Sequence, residues 1–222
     1  MKTKKSTLRI TVLGSANVGK SAITVRFLTK RFIGEYSSMT DYTYRTTWNV
    51  KDDCISMEIR DTSPHTVNDN EPDITRGDAS AFVVVYNVAD GQSFYHAKYQ
   101  IERLRRNKET SNIPILLLGN KTDLEHLRDV RVNEVRQTAL FFNCKLYEVS
   151  AAEDYQAINV AFRELIAQAF IVDNQYSKPV KRRRSILGNV SKRISSVFKR
   201  KSLEDLIFKR RSAIPLQTRR SI

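Results

Sequence analysis

The sequence predicts an α/β fold: a mostly parallel six-stranded sheet with one antiparallel edge strand and helices on both faces. Three observations predict it. Residues 81–86 and 115–118 are continuous apolar runs, which is how strands read when helices cover both of their faces. Residues 42–50 and 55–59 alternate with a period of two on either side of Lys51-Asp52-Asp53, the pattern of a hairpin. Helical stripes stand between the strands, and strand–helix alternation builds parallel sheets with helices on both faces.

The elements follow in order. Residues 8–13 are a short apolar-rich run closed by Gly14, read as a buried strand, and the next stretch places Ala22, Ile23, Phe27 and Leu28 on one side of a helix. In 42–50 the even positions Tyr42, Tyr44, Thr46, Trp48 and Val50 are aromatic or β-branched, with Thr46 the most polar. Ile55, Met57 and Ile59 then alternate with Ser56, Glu58 and Arg60, and the resulting hairpin supplies the antiparallel edge. Phe94, Ala97, Ile101 and Leu104 fall at helical spacing between the two continuous runs. Residues 146–149 read as a last short strand, and Ile158, Ala161, Phe162, Leu165, Ile166 and Ala169 form an i, i+3, i+4 stripe. In such sheets ligands sit beyond the carboxyl ends of the strands, here just after Leu13, Arg60, Leu118 and Val149.

Charge divides the chain. Its 222 residues carry a formal charge of +14. Residues 172–222 hold 15 Lys and Arg against 3 Asp and Glu, leaving 23 against 21 upstream. The organisation read from this is an N-terminal extension (1–6), a domain (7–171) and a basic tail (172–222). No run approaches the roughly 18 apolar residues needed to cross a bilayer. The basic start lacks an apolar h-region of signal-peptide type, so a cytoplasmic or nuclear setting is expected. Cys54 and Cys144 lie in apolar stretches without metal-ligand spacing and read as buried, reduced thiols.

The chemistry begins after the first strand with Gly14-Ser15-Ala16-Asn17-Val18-Gly19-Lys20-Ser21, a full G-x-x-x-x-G-K-S. Its glycines let backbone N–H groups face a phosphate at a helix N-terminus, where partial positive charge collects. Lys20 would neutralise β- and γ-phosphate oxygens, and Ser21 would place its hydroxyl on Mg²⁺. Alone the motif specifies a nucleoside triphosphate and not the base. The base reader is Asn120-Lys121-Thr122-Asp123 after residues 116–119. The Asp123 carboxylate can accept from both N1–H and the 2-amino group of guanine, a pair that adenine lacks, which argues against an ATP-using P-loop kinase. Lys121 would lay its stem over the base, and Asn120 would tie this loop to the phosphate loop. Ser150-Ala151-Ala152, after the last strand, would offer a backbone N–H to the guanine O6.

These motifs, in this order, resemble the Ras superfamily of small GTPases from Leu8 to about Phe170. The stretch from Val25 to Tyr36 (Val-Arg-Phe-Leu-Thr-Lys-Arg-Phe-Ile-Gly-Glu-Tyr) looks most like the branch that holds the oestrogen-regulated growth inhibitor and the Ras-like family 11 proteins. The resemblance implies a P-loop NTPase G domain, GTP and GDP with Mg²⁺ as ligands, GTP hydrolysis and a role in signal transduction as a monomer. It further implies Phe32 against the guanine edge, Tyr36 over the phosphates and Asp61 holding the magnesium shell through water.

The chain also departs from the family pattern. Counting from Lys20, the family's magnesium-binding threonine falls on Met39, a poor ligand for a hard cation. A slip of one residue would bring Thr40 there instead. The family's D-x-x-G is Asp61-Thr62-Ser63-Pro64, and proline has no N–H to give a γ-phosphate. The family's water-orienting glutamine is replaced by His65, so Lys20 and His65 are the candidate catalytic side chains. GDP and GTP binding with slow intrinsic hydrolysis is the expectation; the alternative is a non-cycling GTP-binding scaffold, or pseudo-GTPase, acting through the basic tail.

In that tail, Lys181-Arg182-Arg183-Arg184 precedes Ile186, Val190, Ile194, Val197 and Phe198, roughly one stripe of a helix. The tail reads either as a solvated disordered extension or as a basic amphipathic helix. As a helix it suits an anionic membrane surface such as the inner face of the plasma membrane, a partner groove, or nucleic acid, through residues 178–220. The sequence ends Arg219-Arg220-Ser221-Ile222 without the cysteine that prenylation needs. Effectors and regulators are not legible in the sequence.

Overall fold

The computed structural model describes residues 7–34, 41–50, 53–62 and 78–176. The extension 1–6, the loop positions Tyr36, Met39, Thr40, Pro64 and His65, and the tail from residue 177 onward lie outside the described residues.

Six strands form one sheet in the order β2-β3-β1-β4-β5-β6. They are β1 (Thr7–Leu13), β2 (Tyr42–Val50), β3 (Asp53–Asp61), β4 (Ala81–Asn87), β5 (Ile115–Asn120) and β6 (Lys145–Glu148). Every pairing is parallel except β2 with β3, so the single antiparallel strand sits at the edge, as the alternating hairpin pattern predicted. Among the described residues four helices cover the sheet: α1 (Lys20–Thr29), α2 (Gly91–Arg106), α3 (Val132–Phe141) and α4 (Tyr155–Tyr176).

Strand periodicity sorts the core into two clusters, because successive side chains point to opposite faces. Val83 and Val85 of β4 join Ile10, Val12, Leu116 and Leu118 under α1 and α4, where Phe27 stacks on Phe162 at 4.3 Å between centroids. Phe82, Val84 and Tyr86 join Ile115 and Leu117 under α2 and α3. The first cluster uses the α4 stripe Ile158, Ala161, Phe162, Leu165, Ile166 and Ala169, and the second uses Phe94, Ala97, Ile101 and Leu104 of α2. Both stripes were read from the sequence.

Three features differ from the sequence reading. A short 3₁₀ helix, Thr122–Leu127, and α3 were not foreseen. Val135, Thr138 and Ala139 of α3 are buried, but Leu140 and Phe141 beside them are exposed, so the apolar pattern smears around the helix instead of forming one stripe. Cys54 is exposed, which corrects the expectation that both thiols are buried; Cys144 is partly buried. The reason is the face it occupies: Ile55, Met57 and Ile59 point into the core, and Cys54 alternates with them on the side of Ser56, Glu58 and Arg60.

The strand order places the site. In the sheet β1 has β3 on one side and β4 on the other. The carboxyl end of β1 therefore lies at the switch point where such sheets open a crevice.

Candidate nucleotide-binding site

The loop between β1 and α1 owes its shape to three left-handed residues: Gly14 at φ 144°, Asn17 at φ 61° and Gly19 at φ 94°. Two of these positions also lack room for a side chain. A Cβ on Gly14 would stand 2.4 Å from the Val85 carbonyl oxygen, and one on Gly19 would stand 2.2 Å from Asn120 Nδ2. The loop curls tightly over the ends of β4 and β5 because glycine alone combines that torsion with that clearance. Val18 is buried and anchors it, whereas Ala16 and Asn17 face outward.

Lys20 begins α1 and turns back across the loop. Its Nζ donates to the Gly14 carbonyl at 2.9 Å and the Ser15 carbonyl at 2.7 Å, placing a cation at the centre of the curl. Burial of this side chain (6% exposed) lowers its pKa; the negative charges of Asp61 and Asp41 oppose that shift. Asp61 closes β3 on the far side, 3% exposed, with its pKa raised by burial and then pulled back by a hydrogen bond from Ser21 and by the Lys20 charge. Thr62, next in the chain, donates its hydroxyl to the Val12 carbonyl at 2.7 Å and so fixes the end of β3 against β1.

The Asp61 Oδ1 oxygen is buried and has no hydrogen-bond partner among the described residues. A buried carboxylate oxygen in that condition costs free energy unless something cationic or hydrogen-bonding meets it. With the Ser21 hydroxyl beside it, the donor set is all oxygen, which suits Mg²⁺ held partly through water. The residues present fit that ion.

On the opposite flank, Asn120 at the end of β5 is 2% exposed and joins two loops. Its Nδ2 donates to the Val18 carbonyl at 2.8 Å, and its Oδ1 accepts from the Ala151 amide at 3.0 Å. Asp123 follows in the exposed 3₁₀ turn, entered through Lys121 in a left-handed conformation. The Ser150 hydroxyl donates to Asp123 Oδ1 at 2.6 Å, and the Glu153 amide donates to Ser150 Oγ at 3.2 Å. Strand β6 delivers that last loop, since the Val149 amide reaches the Gly119 carbonyl at 2.8 Å.

The structure therefore brings together Gly14, Ser15, Ala16, Asn17, Val18, Gly19, Lys20, Ser21, Asp61, Asn120, Lys121, Asp123, Ser150, Ala151 and Ala152 at one end of the sheet. Phe32 stands after α1 and is 46% exposed. Tyr36, Thr40 and His65 lie outside the described residues. Sequence reasoning missed Asp41. It sits between Arg60, whose guanidinium it meets at 3.0 Å, and the Lys20–Asp61 pair whose charges it influences. It also missed Tyr86, Arg128 and Glu148, which lie under the base-reading loops. No local motif announces any of the four.

The model of the Ras family matches residues 9–170. The chain is 33% identical over 207 residues to the human Ras-related and estrogen-regulated growth inhibitor, covering 93% of this chain and 98% of that protein. It is 36% identical over 205 residues to the bovine Ras-related and estrogen-regulated growth inhibitor-like protein, covering 88% and 98% respectively. Ras-like protein family member 11B of Danio rerio is 36% identical over 164 residues, 71% of this chain and 67% of that protein.

Proposed function

The chain belongs to the Ras family of small GTPases, and we propose that it binds GDP and GTP with Mg²⁺, hydrolyses GTP slowly, and acts in signal transduction. The observation that carries this reading is Asn120. One buried amide ties the phosphate loop to the Ser150 loop, while Ser150 holds the carboxylate suited to guanine. Phosphate and base determinants are thereby set as one rigid unit.

In this reading the amides of residues 15–20 receive the phosphates, and Lys20 exchanges its bonds to the Gly14 and Ser15 carbonyls for phosphate oxygens. Ser21, and Asp61 through water, would hold Mg²⁺, whose charge would shield the phosphates. Asp123 takes the N1–H and 2-amino donors of guanine, and the Ala151–Ala152 backbone faces its O6. His65, as the residue after Pro64, is the side chain available to orient water.

Slow turnover follows from the covalent chemistry of two residues. Proline at 64 removes a backbone donor to the γ-phosphate, and methionine at 39 offers Mg²⁺ a thioether. The contacts that GDP and GTP share are untouched, so both bind with a reduced preference for GTP. The same two residues favour a second reading, a GTP-binding scaffold that does not cycle and works through its basic tail. The net charge of that tail would draw a cytoplasmic protein to an anionic membrane surface or to nucleic acid.

Nucleotide content of the freshly purified protein, with and without Mg²⁺, followed by single-turnover phosphate release, tests both readings. Bound GDP or GTP and a measurable but slow release support the first. Bound nucleotide with no release selects the scaffold, and a protein that retains no guanine nucleotide defeats both. Pro64→Gly is expected to raise the GTP-over-GDP preference by about tenfold, the worth of one hydrogen bond to a charged group; an unchanged preference would remove the explanation.

A further inference from the structure

A second layer lies directly beneath the base-reading loops. Tyr86 of β4, Gly119 of β5 and Glu148 of β6 form one rung across three adjacent strands. The Tyr86 side chain is fully buried, and its hydroxyl donates to Glu148 Oε1 at 2.7 Å. It reaches that far because the middle residue is glycine: a Cβ on Gly119 would stand 2.5 Å from the Tyr86 hydroxyl and 3.0 Å from Glu148 Cγ. Gly119 is a saddle over which the tyrosine crosses to the next strand.

Arg128, just past the 3₁₀ helix, completes the layer. Its Nη1 and Nη2 meet Glu148 Oε1 and Oε2, each at 3.0 Å. Its Nε and Nη2 meet Glu125 Oε1 and Oε2, each at 2.7 Å. Planar forks of this kind fix orientation as well as position. The consequence lies in where the two carboxylates stand. Glu125 is two residues after Asp123, and Glu148 is two residues before Ser150. One guanidinium therefore spans the bases of the two loops that end in the Ser150–Asp123 hydrogen bond.

We infer that Tyr86, Glu148 and Arg128 are positioning residues for base selection: they hold the Asp123 turn and the Ser150 loop in the relative register that lets one carboxylate meet both guanine donors. The inference rests on the guanine reading above and deepens it. Loosening the layer lets the Asp123 carboxylate wander. Guanosine diphosphate, which gives it two donors, then loses more binding than inosine diphosphate, which lacks the 2-amino group and gives it one. Phosphate and Mg²⁺ contacts stay as they were, because they are built on β1, α1 and β3. The layer thus acts on base discrimination and not on nucleotide binding in general.

The test uses the full chain, with Tyr86→Phe, Arg128→Gln and Arg128→Lys. Three quantities are measured: release of labelled GDP, the ratio of GDP to IDP in competition, and the Mg²⁺ concentration for half-maximal retention. Tyr86→Phe keeps the ring and removes only the hydroxyl. It and Arg128→Gln are expected to lower the GDP:IDP ratio by about three- to tenfold, with the Mg²⁺ requirement unchanged. Arg128→Lys, which keeps the charge and loses the fork, falls between wild type and Arg128→Gln. A wild-type GDP:IDP ratio in both Tyr86→Phe and Arg128→Gln overturns the inference, even if the melting temperature falls, because that is the behaviour of a purely structural layer. A wild-type protein that binds neither diphosphate would instead defeat the guanine reading itself.

Discussion

Replacing Asn120 by alanine removes one side chain and strands two backbone groups. The amide is 2% exposed, and it satisfies the Val18 carbonyl at 2.8 Å and the Ala151 N–H at 3.0 Å. Water has poor access there, so each stranded group costs about 1–3 kcal/mol. Together that is roughly 2–6 kcal/mol, part of which the loops recover by relaxing toward solvent. If about 2–4 kcal/mol falls on the bound state, GDP affinity drops by roughly 30- to 1000-fold. Asn120→Asp separates geometry from size. It keeps an acceptor for Ala151 but sets an oxygen against the Val18 carbonyl where a donor stood, so it is expected to be at least as damaging as alanine. The assay is release of a fluorescent GDP analogue into excess unlabelled GDP, with thermal unfolding measured in parallel. Release rates within about threefold of wild type for both variants would refute the reasoning, because a bridge that matters cannot be deleted and inverted without effect.

Gly19→Ala forces a Cβ to within 2.2 Å of Asn120 Nδ2 at φ 94°, so the purified variant is expected to carry no nucleotide; a stoichiometric load would show that the loop has more freedom than its torsions imply. Burial pushes the Cys144 thiol up despite the nearby Arg105 guanidinium, while Cys54 is exposed, so iodoacetamide should modify Cys54 at least about tenfold faster. Peptide mapping that finds equal rates would contradict the placement of β3. Burial, helped by the Lys20 charge, holds the His96 imidazole below its ordinary value near 6.5. The unfolded chain then takes up a proton that the folded chain refuses, so stability falls as pH drops below that value, and His96→Gln should flatten the decline. Parallel stability curves for the two proteins between about pH 7.5 and 5.5 would rule this out.

The parts of the site that were legible in the sequence are those that chain neighbours encode together. Gly14, Gly19 and Lys20 sit within seven residues, and each is dictated by the local curl: positive φ, clearance against Val85 and Asn120, and a cation in the loop. The base motif was legible for a similar reason, since it stands at the mouth of a strand that the unbroken apolar run of β5 identifies. Even the antiparallel edge was readable, because two alternating runs joined by a connection as short as Lys51-Asp52-Asp53 can pair only as a hairpin. Cys54 was misread because it was taken with its apolar surroundings, whereas period-two alternation puts it on the face of Ser56, Glu58 and Arg60, opposite Ile55 and Met57.

A different limit, the register between strands, hid the layer beneath the base loops. Tyr86, Gly119, Arg128 and Glu148 are spread over 63 positions of the chain, and each alone has an ordinary explanation: a strand aromatic, a strand-end glycine, two surface charges. They acquire meaning only once β4, β5 and β6 are aligned so that glycine falls between tyrosine and glutamate. A buried tyrosine hydroxyl must find an acceptor, and a half-buried carboxylate must find a cation. Given the register, those two requirements lead from Tyr86 to Glu148 to Arg128 and, through Glu125, to the turn that holds Asp123. Local sequence sets what the pocket can bind; strand register sets how sharply it can choose.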